Sequence, residues 1–230
     1  FDEQVVADIA AVVDAASGGA DGPRGTVRIV APEGFGTVFA APCLVRVQAE
    51  HPGITVELVT STSPLSLRGS GFDIAVTVGS ATSSRLTAEA LAPYALRLYA
   101  SRDYLAAHPP IVSLSDLERH PLVFYVDALL TVRELDLAPV LNGMHVGFGS
   151  TNVFAQLEAT RSGAGIGLLH AFMAESDPRL APVLPDEVDF RLMFSLSVRK
   201  DSLGVEAVRV VRDALFAEVR QRADELLPVR

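Results

Sequence analysis

Tryptophan is absent from the 230 residues, and Cys43 is the single cysteine. One thiol cannot close an internal disulfide, so the fold has to hold through its core, as suits a reducing cytoplasm. Cys43 falls in the apolar helical stretch Ala41 to Val47 and reads as a buried structural thiol, not a nucleophile. No apolar run approaches the ~20 residues of a transmembrane helix. Residues 1–25 lack a basic start followed by an apolar stretch and do not read as a signal peptide. Catalytic signatures are missing too: no Gly-x-Ser-x-Gly elbow, no Walker A sequence and no His-Glu-x-x-His pair occurs. The histidines, His51, His108, His120, His145 and His170, are scattered, and no pair has metal-ligand spacing. Basic charge is also short. Nineteen Lys and Arg face 28 Asp and Glu, a net charge of −9, and the cations are spread along the chain apart from small groups such as Arg199-Lys200. Such a surface repels polyanions, so this chain by itself is not expected to grip nucleic acid.

What is present is an ordinary globular composition, 49% hydrophobic and 20% charged, with an alternation of strand and helix patterns. Val5, Val6, Ile9, Val12, Val13 and Ala16 form one apolar face of a helix over residues 2–16. That face needs a cover, from its own domain or from a second chain. Ser17-Gly18-Gly19 ends it, and Gly18 to Gly25 reads as a linker. Strands are expected at Thr26–Ala31, Thr55–Val59, Asp73–Val78 and Leu96–Ala100, with a helix at Thr37–Glu50 whose first turns hold Pro42. A second unit begins near Ser101. Its signals are a Ser113–Asp116 capping box, strands at Leu122–Tyr125, His145–Phe148, Ile166–Leu169 and Phe194–Val198, and a helix from Asn152 to Arg161. Val208, Val211, Leu215 and Val219 mark a closing helix within Val205–Leu227. This rhythm predicts two similar α/β lobes with mixed, mostly parallel sheets, and a ligand outside the carboxyl ends of the strands.

Gly163-Ala164-Gly165-Ile166-Gly167 has the glycine density of a dinucleotide fingerprint, but it follows a helix and enters a strand, the reverse of that context. It reads as a helix stop with close backbone packing. Three loops suit binding better: Pro32-Glu33-Gly34-Phe35-Gly36, Thr60-Ser61-Thr62-Ser63 and Gly149-Ser150-Thr151-Asn152. Each follows a strand, and two precede helices, whose amino-terminal N–H groups beside hydroxyls suit a carboxylate or another small anion. Ordinary capping would explain the same residues.

The chain resembles LysR-type effector domains at Gly25-Thr26-Val27-Arg28-Ile29 with Pro32 and Gly36, at His51-Pro52-Gly53, and at Gly71-Phe72-Asp73-Ile74-Ala75-Val76. Ala100-Ser101 with Tyr104-Leu105, Asp116-Leu117 and Gly163 to Leu169 extend the likeness. The resemblance implies a type II periplasmic-binding-protein-like fold. Residues 1–25 would be the end of a linker helix and a linker, 26–100 plus 201–230 lobe I, and 101–200 lobe II. Crossovers at Ser101 and at Arg199, Lys200 and Asp201 would form the hinge. Topology and resemblance together place Thr37, Thr60, Ser61, Thr62, Gly79, Ser80, Ser150, Thr151 and Asn152 along an inter-lobe cleft, with Glu33 and Phe35 at its rim. Two departures concern that site. Thr77-Val78-Gly79 stands where relatives often carry an arginine before the glycine, and His170 stands where they usually carry proline. His170 adds a titratable group, read as structural and solvent-facing yet kept among the effector-binding positions.

The resemblance implies a cytoplasmic small-molecule sensor that pairs into homodimers or homotetramers. It would bind DNA only through an N-terminal winged helix-turn-helix absent from this chain, with RNA polymerase as a further partner. No cofactor, metal, catalytic residue or membrane contact is expected. A transporter's solute-binding protein of the same fold is the alternative, and a small α/β enzyme acting on a carboxylic acid is the third reading.

Overall fold

The computed structural model describes residues 22–61, 71–79, 83–126 and 144–228. The expected helix over residues 2–16, the first half of the linker, and Thr62 and Ser80 lie outside them. The described residues form two compact units. Those up to Leu91 together with Ser195–Gln221 make unit 1; Ala92–Phe194 and those from Arg222 onward make unit 2.

In unit 1, β1 (Gly25–Ala31) runs parallel to β2 (Ile54–Thr60) on one side and to β3 (Ile74–Val78) on the other. Val27 and Ile29 point fully into the core, and Ile54 and Ile74 meet them from the neighbouring strands. These are β-branched side chains on a pleated surface. Between β1 and β2 lie a short helical turn at Glu33–Phe35, a π-helical turn at Gly36–Ala40 and α1 (Ala41–Glu50). The helical path therefore starts at Glu33, one turn earlier than the expected Thr37. Proline inside a helix lacks an N–H and crowds the carbonyl four residues back. The wider π turn just ahead of Pro42, closed by Ala41 N–H on the Gly36 carbonyl, accommodates it.

Unit 2 opens within β4 (Leu86–Ser101), which passes from one unit into the other. The α2 helix (Arg102–Ala107) and a 3-10 turn at Leu114–Arg119 follow, then β5 (Leu122–Phe124), β6 (Val146–Gly149), α3 (Val153–Arg161), β7 (Ile166–His170), α4 (Ala171–Ala174) and β8 (Leu180–Val183). The strand order is β4-β7-β5-β6, with β8 also on β4. The pairs β5–β6 and β5–β7 are parallel, while β4–β7 and β4–β8 are antiparallel, so the sheet is mixed. The expected capping box is present: the Asp116 carboxylate accepts from the N–H groups of Val112 and Ser113 and from the Ser113 hydroxyl. Those bonds, the Val112 one first, hold its pKa below the usual carboxylate range.

The chain returns along β9 (Asp189–Arg199), which lies beside β3, and enters unit 1's α5 (Glu206–Gln221). Val208, Val211, Leu215 and Val219 form the buried stripe of α5, as their spacing predicts. The stripe packs on β1 and on α1, where Arg46 pairs with the buried Glu218 carboxylate. Cys43 lies inside the same packing and its pKa is pushed up to about 11, by burial first and by Glu218 next, as befits an inert thiol. The closing helix is not continuous. It breaks at Arg222, and α6 (Ala223–Leu226) packs with unit 2 instead of staying with lobe I. There Leu226 is buried, and Arg97 donates to the Pro228 carbonyl at 2.9 Å. Arg97 itself is buried and paired with Asp189 at 2.9 Å.

Candidate functional site

The carboxyl ends of β1 and β2 come together in unit 1. Ala31 stands opposite Thr60 in the register, and the Ser61 N–H donates to the Ala31 carbonyl at 2.9 Å. The Gly36 N–H donates to the Pro32 carbonyl at 2.7 Å. A Cβ on Gly36 would lie 2.6 Å from the Thr60 methyl, so glycine lets the helical turn lie this close to the end of β2 without displacing that side chain. Thr37 and Thr60 are exposed, and Glu33 and Ser61 half-buried. Phe35 does not stand at a rim. It is fully buried and stacks on Phe39 at 5.7 Å, a core residue of unit 1. Gly79 follows β3 in a left-handed conformation (φ 70°), and its carbonyl accepts from the Thr77 hydroxyl at 3.3 Å. Thr77 thus serves to fix this turn.

In unit 2 the loop before α3 is built from its own polar groups. The Ser150 N–H donates to the Phe124 carbonyl at 3.0 Å, and the Ser150 hydroxyl accepts from the Asn152 N–H at 3.1 Å. Asn152, not Ser150 or Thr151, is the N-cap, accepting from the Ala155 N–H at 2.8 Å. Gln156, buried and not foreseen from the sequence, donates to the Ser150 carbonyl at 2.7 Å. A polar residue one turn into a helix, on its buried face, was the available signal. Ser150 and Asn152 are therefore spent on shaping the loop, while Thr151 is exposed at its tip. Asn152→Ala is expected to remove about 1 kcal/mol of stability, read as a lower urea midpoint, because the cap bond is lost.

His170 is not solvent-facing. It ends β7, is buried, and stacks on Tyr94 at 5.5 Å beside Phe172 at 5.1 Å. Burial alone drives its pKa down to about 4, so the ring is neutral near neutral pH. No described contact joins His170 to the Ser150–Asn152 loop.

The expected hinge residues are firmly held. Ser101, inside unit 2, caps α2 by accepting from the Tyr104 N–H at 3.2 Å. Arg199, Lys200 and Asp201 lie inside unit 1. Arg199 pairs with Asp201, and its N–H donates to the Asp73 carbonyl at 3.0 Å. The Asp73 carboxylate takes the Arg28 N–H and the Ser202 hydroxyl, both at 2.9 Å, tying β1 to the end of β9. The chain passes between the units earlier, at Leu91–Ala92 and Phe194–Ser195, and again at Gln221–Arg222. Among the described residues no group of histidine, cysteine and carboxylate side chains could hold a metal ion.

Residues 20–220 match the model of the LysR substrate binding domain. The chain belongs to the LysR substrate-binding domain family. Among curated proteins it is 27% identical over 205 residues to the HTH-type transcriptional regulator CrgA of Neisseria meningitidis, covering 86% of this chain and 68% of that protein. It is 28% identical over 106 residues to an uncharacterised HTH-type transcriptional regulator of Haemophilus influenzae, covering 46% of this chain and 37% of the relative. A Xanthomonas campestris HTH-type regulator is matched over 29% of its length, so the matches span well under two thirds of these two relatives. The solved CrgA structure superposes with a TM-score of 0.76 at 24% identity, covering 94% of this chain and 76% of that one. AphB of Vibrio cholerae gives 0.72 at 22%, with 94% and 76% covered. The two-lobed, periplasmic-binding-protein-like α/β fold of this LysR domain is thereby established.

Proposed function

We propose that this LysR domain is the effector-sensing and oligomerisation part of a cytoplasmic transcription regulator, and that it binds a small anionic metabolite between its two lobes. The observation that carries the reading is the family match over residues 20–220. The helix-turn-helix regulators among the relatives favour it over a transporter's solute-binding protein. In the full-length protein a winged helix-turn-helix ahead of this chain contacts DNA, the domains pair as dimers or tetramers, and RNA polymerase is a further partner. The effector acts only through unequal affinity for different arrangements of lobes and subunits. Its contacts are Thr37, Thr60, Ser61 and Thr62, with Gly79 and Ser80, from lobe I and Thr151 from lobe II. Glu33 sits near the first of these, and Ser150 and Asn152 hold Thr151 in place. Ser101 and Arg199 to Asp201 anchor the strands that carry the hinge motion. The domain binds without turnover and needs no cofactor.

A thermal-shift screen with succinate, benzoate and salicylate tests this, because a ligand that favours the folded state raises apparent stability. At least one carboxylate is expected to raise the midpoint of the wild-type domain and to lose that effect in Thr151→Val. A shift that survives Thr151→Val would place the site elsewhere. The coding sequence ahead of Phe1 separates the regulator from the solute-binding protein: a winged helix-turn-helix supports the proposal, and a secretory signal overturns it.

A further inference from the structure

We propose that unit 2 carries a second ligand site, apart from the strand-end loops, that takes a small amphiphilic organic cation: an apolar body with one ammonium head. A cavity of about 360 Å³ opens between the turn after α2 and the turn after β8. That volume lies at the lower end of the range for small-molecule sites, ~300–1,000 Å³. Leu105, Ile111, Val183 and Leu184 line it together with four prolines, Pro109 and Pro110 from the first turn, Pro182 from β8 and Pro185 from the turn after it. Proline rings have almost no rotamer freedom to lose, so this wall is pre-formed and binding does not have to order it.

The turn after β8 is held in an unusual way. Leu184 has a left-handed backbone (φ 48°), the single non-glycine residue with positive φ among the described residues. Its carbonyl accepts two N–H groups, from Glu187 at 3.2 Å and from Val188 at 3.0 Å. The tight turn keeps Leu184 buried and sets Glu187 in the cavity lining. A leucine stays in that conformation only where its surroundings over-determine it, and such strain concentrates at binding sites.

Charge selects the ligand class. Glu187 is the single ionisable group in the lining, and it is exposed at the surface of a chain of net charge −9. A cation is attracted locally and by the whole molecule, whereas a carboxylate is repelled by both. The site therefore discriminates in the opposite sense to the strand-end loops, and it does not depend on the function proposed for them.

Phenethylammonium chloride and sodium phenylacetate, which present a similar body with opposite heads, are the probes. Titrated into the ¹⁵N-labelled chain, phenethylammonium is expected to give saturable amide shifts confined to residues 105–111 and 182–188, and phenylacetate none there. Glu187→Gln, a surface change that leaves the fold intact, should weaken the binding about fivefold, the scale of an exposed ion pair. Leu105→Trp should fill the cavity and abolish it, and the Glu187→Gln comparison stands alone if that variant fails to fold. Equal responses to the two probes, unchanged affinity in Glu187→Gln, shifts centred elsewhere, or no saturation would each overturn the proposal. Retention of the phenethylammonium response in Thr151→Val separates this site from the effector cleft.

Discussion

Alanine at Gly165 is expected to cost unit 2 ~3 kcal/mol or more, a large share of the stability of a typical domain. Two costs add. Gly165 has φ 145°, a backbone conformation that L side chains rarely adopt. A Cβ there would also lie 2.1 Å from the Pro121 carbonyl oxygen and 2.9 Å from its carbon. That carbonyl cannot swing away cheaply, because it accepts the Ile166 N–H at 2.9 Å and so starts the pairing of β7 with β5. Gly204→Ala is the control: its Cβ meets nothing within 4 Å, and the change should stay within about 0.5 kcal/mol. Urea denaturation of the two variants beside the wild type reads the difference directly. Matching midpoints would show that the backbone around Pro121 relaxes freely and that the close packing is not a constraint.

The same glycines show what could be read from the sequence. Gly163 to Gly167 stands between a helix and a strand, and that order alone assigned it to a helix stop with close packing. In the structure Gly163 has φ 82° at the end of α3, and a Cβ on Gly167 would meet the Thr160 hydroxyl at 2.2 Å. Strand segments buried on both faces, such as Ile29–Ala31 and Ile74–Val76, were likewise legible, because burial imposes an apolar run. The first half of β4 was not. Leu86 to Ala90 is mostly exposed and rich in alanine, with no alternation to betray a strand, so only Leu96–Ala100 was expected. Pairing between chain segments, not side-chain pattern, makes it a strand. The start of β9 escaped for a similar reason: Asp189 looks like a loop residue until Arg97, far away in sequence, supplies its partner.

The binding loops were legible as places and only partly as roles. Hydroxyl-rich segments after strands are visible in any α/β sequence. Which hydroxyl is left for a ligand depends on which ones the loop consumes. Ser150 and Asn152 are consumed by the turn and the α3 cap, and Gln156 completes that turn from one helical turn away. Phe35 was misplaced at a rim because the helical path starts at Glu33, which carries the ring inward onto Phe39. His170 departs furthest from what its sequence context suggests. A titratable residue at the end of a strand suggests exposure, and only the packing of Tyr94, from β4, and of the neighbouring Phe172 shows that it is enclosed.

That enclosure makes the stability of the protein depend on pH in a window set by His170. Its folded pKa of about 4 lies below the ordinary histidine value of 6.5. Between those values the unfolded chain binds a proton that the native state refuses, so stability is full above pH 6.5 and falls as the pH drops toward 4. A gap of that size corresponds to a loss of ~3 kcal/mol across the window. His120 acts in the same direction. It is 1% exposed, its Nδ1 meets the Tyr104 hydroxyl at 2.9 Å, and its Nε2 has no partner among the described residues. Burial lowers its pKa, with His108 and Arg119 adding to the effect and Asp116 opposing it. His170→Phe keeps an aromatic ring against Tyr94 while removing the titration, so it should flatten most of the slope and leave the His120 share. His120→Phe on top of it should flatten the remainder. Unfolding free energies from urea titrations at pH 7.5, 5.5 and 4.5 check this for the wild type and both variants. Slopes equal in all three would mean that water reaches both rings and that neither is protected by the packing around it. Steeper loss below pH 4.5, by contrast, belongs to the carboxylates. Asp177 and Asp201 have pKa values held below the ordinary range; burial opposes this at Asp177, where bonds from Arg179 and Arg161 prevail, and the bond from Arg199 leads at Asp201.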